Sequence, residues 1–185
     1  MPDSSNVTAS KPGISGALHR APAGTTLPTD ATTALNAAFI DMGYLSDEGL
    51  THDQSVTTEV SKAFGGDIVN VFQTERKDDF RFTLLESLRL EVLKMVYGES
   101  NVSGSLSTGI TINAKPADLG EYVYVIDLIL KDNAVERIVI PKGRISGVGE
   151  TVYQDNDNIG FETTITALSD ASGNTHYAYI KAASA

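Results

Sequence analysis

Cysteine is absent from the 185 residues, which removes disulfides, thiolate metal sites and cysteine nucleophiles. Positive charge is scarce: 14 Lys and Arg stand against 24 Asp and Glu, a net of −10. No basic run exceeds the pair Arg76-Lys77, so the clustered cations that grip a phosphate backbone are missing and a conventional nucleic-acid binder is disfavoured. No apolar run approaches the roughly 20 residues that cross a bilayer. The first residues, Met-Pro-Asp-Ser-Ser-Asn, have neither the basic nor the apolar region of a secretory leader. The expectation is a soluble protein made in a cytoplasm, with no membrane span. Also missing are the Gly-x-Ser-x-Gly elbow, the Gly-x-Gly-x-x-Gly fingerprint and the phosphate loop, so no enzyme class is indicated and no cofactor is expected.

What is present is β-forming. Hydrophobic residues make up 41% of the chain, enough for one sizeable core. The stretch 121–141 organises the rest. Two runs rich in Tyr, Val, Ile and Leu flank Asp132-Asn133, the pattern of a long antiparallel hairpin. Tyr122, Tyr124, Ile126, Leu128 and Leu130 share one face, and Val123, Val125 and Ile129 share the other, broken by Asp127. A strand apolar on both faces must be covered twice, by its own domain or by another copy.

Residues 1–38 are poor in large apolar side chains and dense in Ser, Thr, Ala, Gly and Pro, which predicts an extended arm; 29–36 offers one helical turn capped by Thr29 or Asp30. A single β-rich domain is expected over 39–181, with a frayed tail at 182–185. Its first strand is placed at 39–45. Residues 51–63 read equally as a long strand or as an extended loop along a neighbour. Strands at 67–76 and 79–85 are expected to pair across a charged turn at Arg76-Lys77-Asp78. The period then becomes helical. Leu88, Val92 and Met95 predict a helix over about 87–97, anchored to the sheet by those three residues and ended by Gly98. Leu106, Ile110 and Ile112 fall in phase within 102–114, and Gly147-Val-Gly149 suggests a bulge. In 161–168, Phe161, Thr163, Ile165 and Ala167 alternate with Glu162, Thr164 and Thr166, so one face is core and the other wet; Asp170–Asn174 should turn the chain into a last hairpin with 175–181.

Candidate chemistry is thin. His19, His52 and His176 show no metal-ligand spacing and read as ordinary surface residues. Asp155-Asn-Asp157-Asn158-Ile-Gly160 resembles the opening of a calcium loop, but Ile159 stands where an oxygen ligand belongs and Thr166 where the bidentate Glu belongs, so a polar hairpin tip is the better reading and no metal is expected. The remaining signature is an arm, Ser/Thr-faced strands and one helix. Self-assembly explains it, because ring closure by symmetry covers free edges and apolar outer faces.

Several segments then carry a resemblance that spans nearly the whole chain: Ala21-Pro-Ala-Gly-Thr-Thr-Leu-Pro-Thr-Asp-Ala31, the stretch 39–49 with its Gly43-Tyr-Leu-Ser-Asp-Glu-Gly49, Ala63-Phe-Gly-Gly-Asp67, the stretch 82–98, Ile138-Val-Ile-Pro141 and Gly173-Asn-Thr-His-Tyr177. Together they resemble the major tail proteins of long, non-contractile-tailed bacteriophages, in particular those infecting actinobacteria. Phe64 stands where the resemblance leads one to expect tryptophan. The resemblance implies a mainly β fold with one α-helix, an antiparallel β-sandwich or barrel of the phage tail-tube type with an extended N-terminal arm. It implies a virion tail subunit, assembled in the bacterial host cytoplasm into stacked hexameric rings around a channel for DNA, which passes without specific binding. A tape measure protein and a tail terminator are the implied partners. In that setting Glu162, Thr164 and Thr166 are candidates to face the lumen, and Pro12, Ile14, Leu18 and Leu27 are candidates to bridge rings. The alternative from another class is a monomeric β-sandwich binding or adhesion module.

Overall fold

The computed structural model describes residues 1–116 and 118–183. Mainly antiparallel β-sheet with a single helix among the described residues, it has the β-sandwich-like α+β class that the sequence indicates. The strands are β1 (Lys11–Pro12), β2 (Leu18–Pro22), β3 (Ile40–Asp41), β4 (Leu45–Lys62), β5 (Ile68–Leu84), β6 (Val102–Ser105), β7 (Gly109–Ile112), β8 (Glu121–Ile129), β9 (Val135–Val148), β10 (Phe161–Ala167) and β11 (Tyr177–Lys181). Helix α1 (Leu90–Tyr97) follows β5. Nine strands form one sheet in the order β3-β2-β8-β9-β10-β5-β4, with β1 added to β8 and β11 to β9, while β6 and β7 make a separate small hairpin.

The β8–β9 hairpin lies at the centre of this sheet. Its register sets Tyr124 opposite Ile140, Val125 opposite Val139 and Ile126 opposite Ile138. Asp132 and Asn133 turn the chain with φ of 55° and 58°. These residue types tolerate the left-handed region better than most, and two successive positive φ values suit the twist of the strands they join. One face of the hairpin carries Tyr124, Ile126, Ile138 and Ile140 into the main core, where they meet Leu18, Met42, Phe80, Phe82, Leu84, Phe161, Ile165 and the helix residues Val92, Leu93, Met95 and Val96.

The other face is covered by the chain itself. Val123, Val125 and Val139 are fully buried there, in phase with Asp127 and Arg137, which are opposite one another in register. Arg137 binds both oxygens of Asp127 (2.7 and 3.1 Å) and its Nη1 donates to the carbonyls of Asp30 (3.2 Å) and Thr33 (2.7 Å). Residues 23–38 are therefore tied to this face as a lid through Asp30 and Thr33, with Ala31 buried within it.

That lid changes the reading of the N-terminus. Within the expected arm, Leu18 is completely buried and β2 pairs with both β8 and β3. Composition hides this because Ala17, His19, Arg20 and Ala21 are buried by strand pairing rather than by large apolar side chains. The helical turn expected at 29–36 does not form. Asp30 instead accepts the N–H groups of Thr32 and Thr33, both at 2.6 Å, in a compact loop.

Three further expectations are corrected. Arg76-Lys77-Asp78 is not a turn: β5 runs through it unbroken and pairs with β4, which decides 51–62 for strand over loop, and the reversal occurs at Gly65-Gly66. Arg76 and Lys77 face water and Asp78 is held by side-chain partners, so this charged run is tolerated within a strand and clustering alone does not bend it. The segments 161–168 and 175–181 do not form a hairpin with each other. Both β10 and β11 pair antiparallel with the same edge of β9, β10 along 143–148 and β11 along 135–139. The change of partner falls at Pro141, which has no N–H for a ladder bond. Finally, α1 begins at Leu90, after a turn in which the Arg89 N–H donates to the Glu86 carbonyl (3.0 Å). Leu88 lies in that turn, 66% exposed, and does not anchor the helix; Val92 and Met95 are buried, joined by Leu93 and Val96. The spacing of Leu84, Leu88 and Val92 imitated one helical stripe across a strand, a turn and a helix.

In β6–β7, Ile110 packs against the core, but Leu106 and Ile112 are exposed. The β9–β10 register shifts next to Ser146, the irregularity anticipated by Gly147-Val-Gly149. The frayed tail expected at 182–185 lies outside the described residues beyond position 183.

Candidate assembly surface

Strand β10 reaches only Asp79 of β5. Beyond that point β4 and β5 continue as a two-stranded ribbon, and residues 68–78 alone extend it by about 35 Å at roughly 3.3 Å per residue. The tip closes with the Ala63 N–H donating to the Asp67 carbonyl (2.7 Å), and Phe64 stands fully in solvent there. Val56, Val60, Ile68, Val69, Val71 and Phe72 are all exposed along it. Register divides them: Val60 is opposite Val71, whereas Phe72 is opposite Glu59, on the other face. The ribbon is thus apolar in patches on both sides.

The wet face of the main sheet is continuous with one side of this ribbon. Thr166 is opposite Asp79 and Arg144, Thr164 opposite Arg81 and Gly147, and Glu162 opposite Thr83. Glu162 is exposed and the two threonines are half-buried. Thr166 Oγ1 donates to Asp79 Oδ1 (2.5 Å). Bases are also present on this face. Lys77 has Asp79 at 3.5 Å, Arg81 has Asp53 at 3.4 Å and, at the rim, Arg144 has Asp118 at 2.5 Å. Each is matched by a carboxylate, so the acidity of the chain is expressed here as pairing rather than as a one-signed surface.

A sequence model of the phage tail tube protein family matches residues 3–185. The chain belongs to the phage tail tube protein family. No curated protein matches it at a significant level. Tail tube proteins are structural components of the virion tail that assemble with copies of themselves, and the family is a structural one rather than a family of enzymes. No helix among the described residues is long and apolar enough to cross a membrane.

The residues expected to bridge rings separate in the structure. Pro12 pairs with β8 as part of β1 and is exposed, Ile14 is 99% exposed, Leu27 is half-buried in the lid, and Leu18 belongs to the core. Residues 10–17 also border a groove of about 490 Å³ against Asp41, Tyr44, Leu50 and Glu86. Its two carboxylates are both held by Arg89, at 3.2 Å for Asp41 and 3.0 Å for Glu86.

Sequence reasoning missed one cluster. His52 of β4 and His176, just before β11, meet on Asp78 of β5, a carboxylate that is 1% exposed. His52 Nε2 bonds Asp78 Oδ1, His176 Nδ1 lies 2.9 Å from Oδ2, and the Thr175 hydroxyl donates to Oδ2 as well. Burial works against the charge on Asp78, but the bonds from Thr175, His52 and His176 outweigh it and hold the carboxyl below the ordinary range. Sequence separations of 26 and 98 residues gave no spacing signal.

Proposed function

We infer that this subunit closes into hexameric rings that stack into the tube of a long, non-contractile tail, and that the channel so formed carries DNA into the host. The observation that carries this reading is the β4–β5 ribbon. A two-stranded hairpin in water is marginal by itself, and exposed apolar patches on both faces call for cover. Neighbouring copies in a ring provide cover from both sides, and every copy provides it equally.

In this arrangement the face bearing Glu162, Thr164 and Thr166, continued onto the ribbon, lines the lumen. Its matched ion pairs leave Lys77, Arg81 and Arg144 committed to carboxylates, which favours passage of DNA without a sequence-independent grip. Pro12, Ile14 and Leu27 would contact the next ring; Leu18, buried in the core, leaves that set. The tape measure protein would occupy the same lumen before DNA, and the terminator would cap the last ring. Assembly would take place in the cytoplasm of the bacterial host, a reading that rests on the family.

The test is negative-stain microscopy of the purified chain beside a variant carrying Val60→Ser, Val71→Ser and Phe72→Ser. Wild type should form rings or tubes and the variant folded monomers. Monomeric wild type at all concentrations, or unimpaired tubes from the variant, would overturn the reading.

A further inference from the structure

The cluster of His52, Asp78 and His176 has no part in the assembly argument, and its chemistry points elsewhere. Two imidazole nitrogens and a carboxylate oxygen lie within 4.8 Å of one another. A tetrahedral Zn²⁺ with bonds of about 2.0–2.2 Å sets neighbouring donor atoms about 3.3 Å apart. The separations in the cluster bracket that value: His176 Nδ1 is 2.9 Å from Asp78 Oδ2, His52 Nε2 is closer to Oδ1, and the widest pair reaches 4.8 Å. Small side-chain rotations bring all three to one centre.

The rings are already oriented. His52 lies flat on Phe80, with centroids 4.1 Å apart and planes 6° from parallel, and His176 stands edge-on to His52 at 4.8 Å. Thr175 holds one oxygen of Asp78 from behind, as an outer-shell partner fixes a ligating carboxylate. Asp78 is buried, yet His52 and His176 remain 28% and 20% exposed, so an ion has an entry path and a side open to water.

We propose that His52, Asp78 and His176 form a binding site for a divalent transition metal, with Zn²⁺ as its best fit and a water completing the coordination. Two imidazoles with one carboxylate form an intermediate ligand set that prefers Zn²⁺, Co²⁺ or Ni²⁺ over Mg²⁺ or Ca²⁺. The ion takes the place of the hydrogen bonds that link the two imidazoles to Asp78. Its ligands come from β4, β5 and the residue before β11, so binding ties the root of the projecting ribbon to the C-terminal strand.

The experiment is a Co²⁺ titration of the full chain at neutral pH, read by visible absorption, followed by Zn²⁺ displacement and thermal melting with and without Zn²⁺. One equivalent of Co²⁺ should produce the bands of a four-coordinate site, Zn²⁺ should remove them, and the melting midpoint should rise with Zn²⁺. His52→Ala, His176→Ala and the isosteric Asp78→Asn should abolish the bands, and Thr175→Val should weaken Zn²⁺ binding about 10–100-fold. Absence of such bands in wild type, or equal binding by a folded His52→Ala or Asp78→Asn chain, would overturn the proposal. All ligands belong to one chain, so that failure would leave the tail-tube reading standing.

Discussion

Asp30 shows how one side chain can hold a segment that has no core of its own. Its carboxylate accepts the Thr33 hydroxyl and the N–H groups of Thr33 and Thr32, which together hold it far below the ordinary carboxylate range. In the unfolded chain it titrates near 3.9. Between those two values the unfolded state binds the proton and the folded state does not, so this contribution is complete above about pH 4 and disappears as pH falls further. Asp30→Asn should flatten the acid limb of the stability profile, measured by denaturant unfolding across pH, and leave the neutral limb of that profile parallel to wild type. An unchanged acid limb would show that the loop is held by other bonds. Gly143 makes a different kind of demand: a Cβ there would meet the Tyr124 ring at 2.5 Å, so the largest buried side chain of the central hairpin lies directly on backbone.

At the scale of elements, α1 separates what the sequence showed from what it concealed. The helix was legible because Val92, Met95 and Gly98 obey helical spacing and capping, and Gly98 takes a φ of 96° where a left-handed residue is needed. Its start was not legible, since Leu88 keeps the phase without being in the helix. Met95→Ala should therefore cost about 2–5 kcal/mol by leaving a cavity, while Leu88→Ala should stay within about 0.5 kcal/mol. Both are read from urea midpoints; equal losses would put Leu88 back on the buried stripe. The same limit governs the ribbon. Local pattern identified a β strand in 67–76 and left 51–63 open between strand and loop, and nothing local distinguished a charged turn at Arg76-Lys77-Asp78 from a charged stretch in one long strand. The His52–Asp78–His176 cluster was wholly invisible, because it is made by pairing β4 with β5 and by docking the segment before β11.

For the molecule as a whole, the N-terminal boundary moves. A truncation removing residues 1–9 should leave a folded domain, whereas removal of 1–38 takes away β2 and the lid over Val123, Val125 and Val139 and should abolish cooperative unfolding. Circular dichroism melting distinguishes the two; a stable domain after the longer deletion would restore the separable arm. Charge is also a property of the whole assembly. If the face bearing Glu162 lines a hexameric channel, Glu162→Lys adds six unmatched cations per ring, and attraction to phosphate extends over a Debye length of about 8–10 Å at ordinary salt. Tubes should still assemble, while DNA ejection from phage carrying the variant should slow, more so at low salt. Normal ejection at every ionic strength, or a tube map with Glu162 on the outer wall, would remove this residue from the channel.

The ribbon extending beyond β10 has a thermodynamic corollary. Residues 53–77 are exposed along nearly their whole length, so their order in a dilute subunit sits at the low end of the stability range and should open well below the temperature that melts the body. If the ribbon is the contact between copies, partner binding and ribbon ordering form a single equilibrium obeying mass action, in which the ordered population rises with subunit concentration. Such a subunit would withhold its adhesive shape until neighbours supply it, making nucleation of a tube slow and its elongation fast.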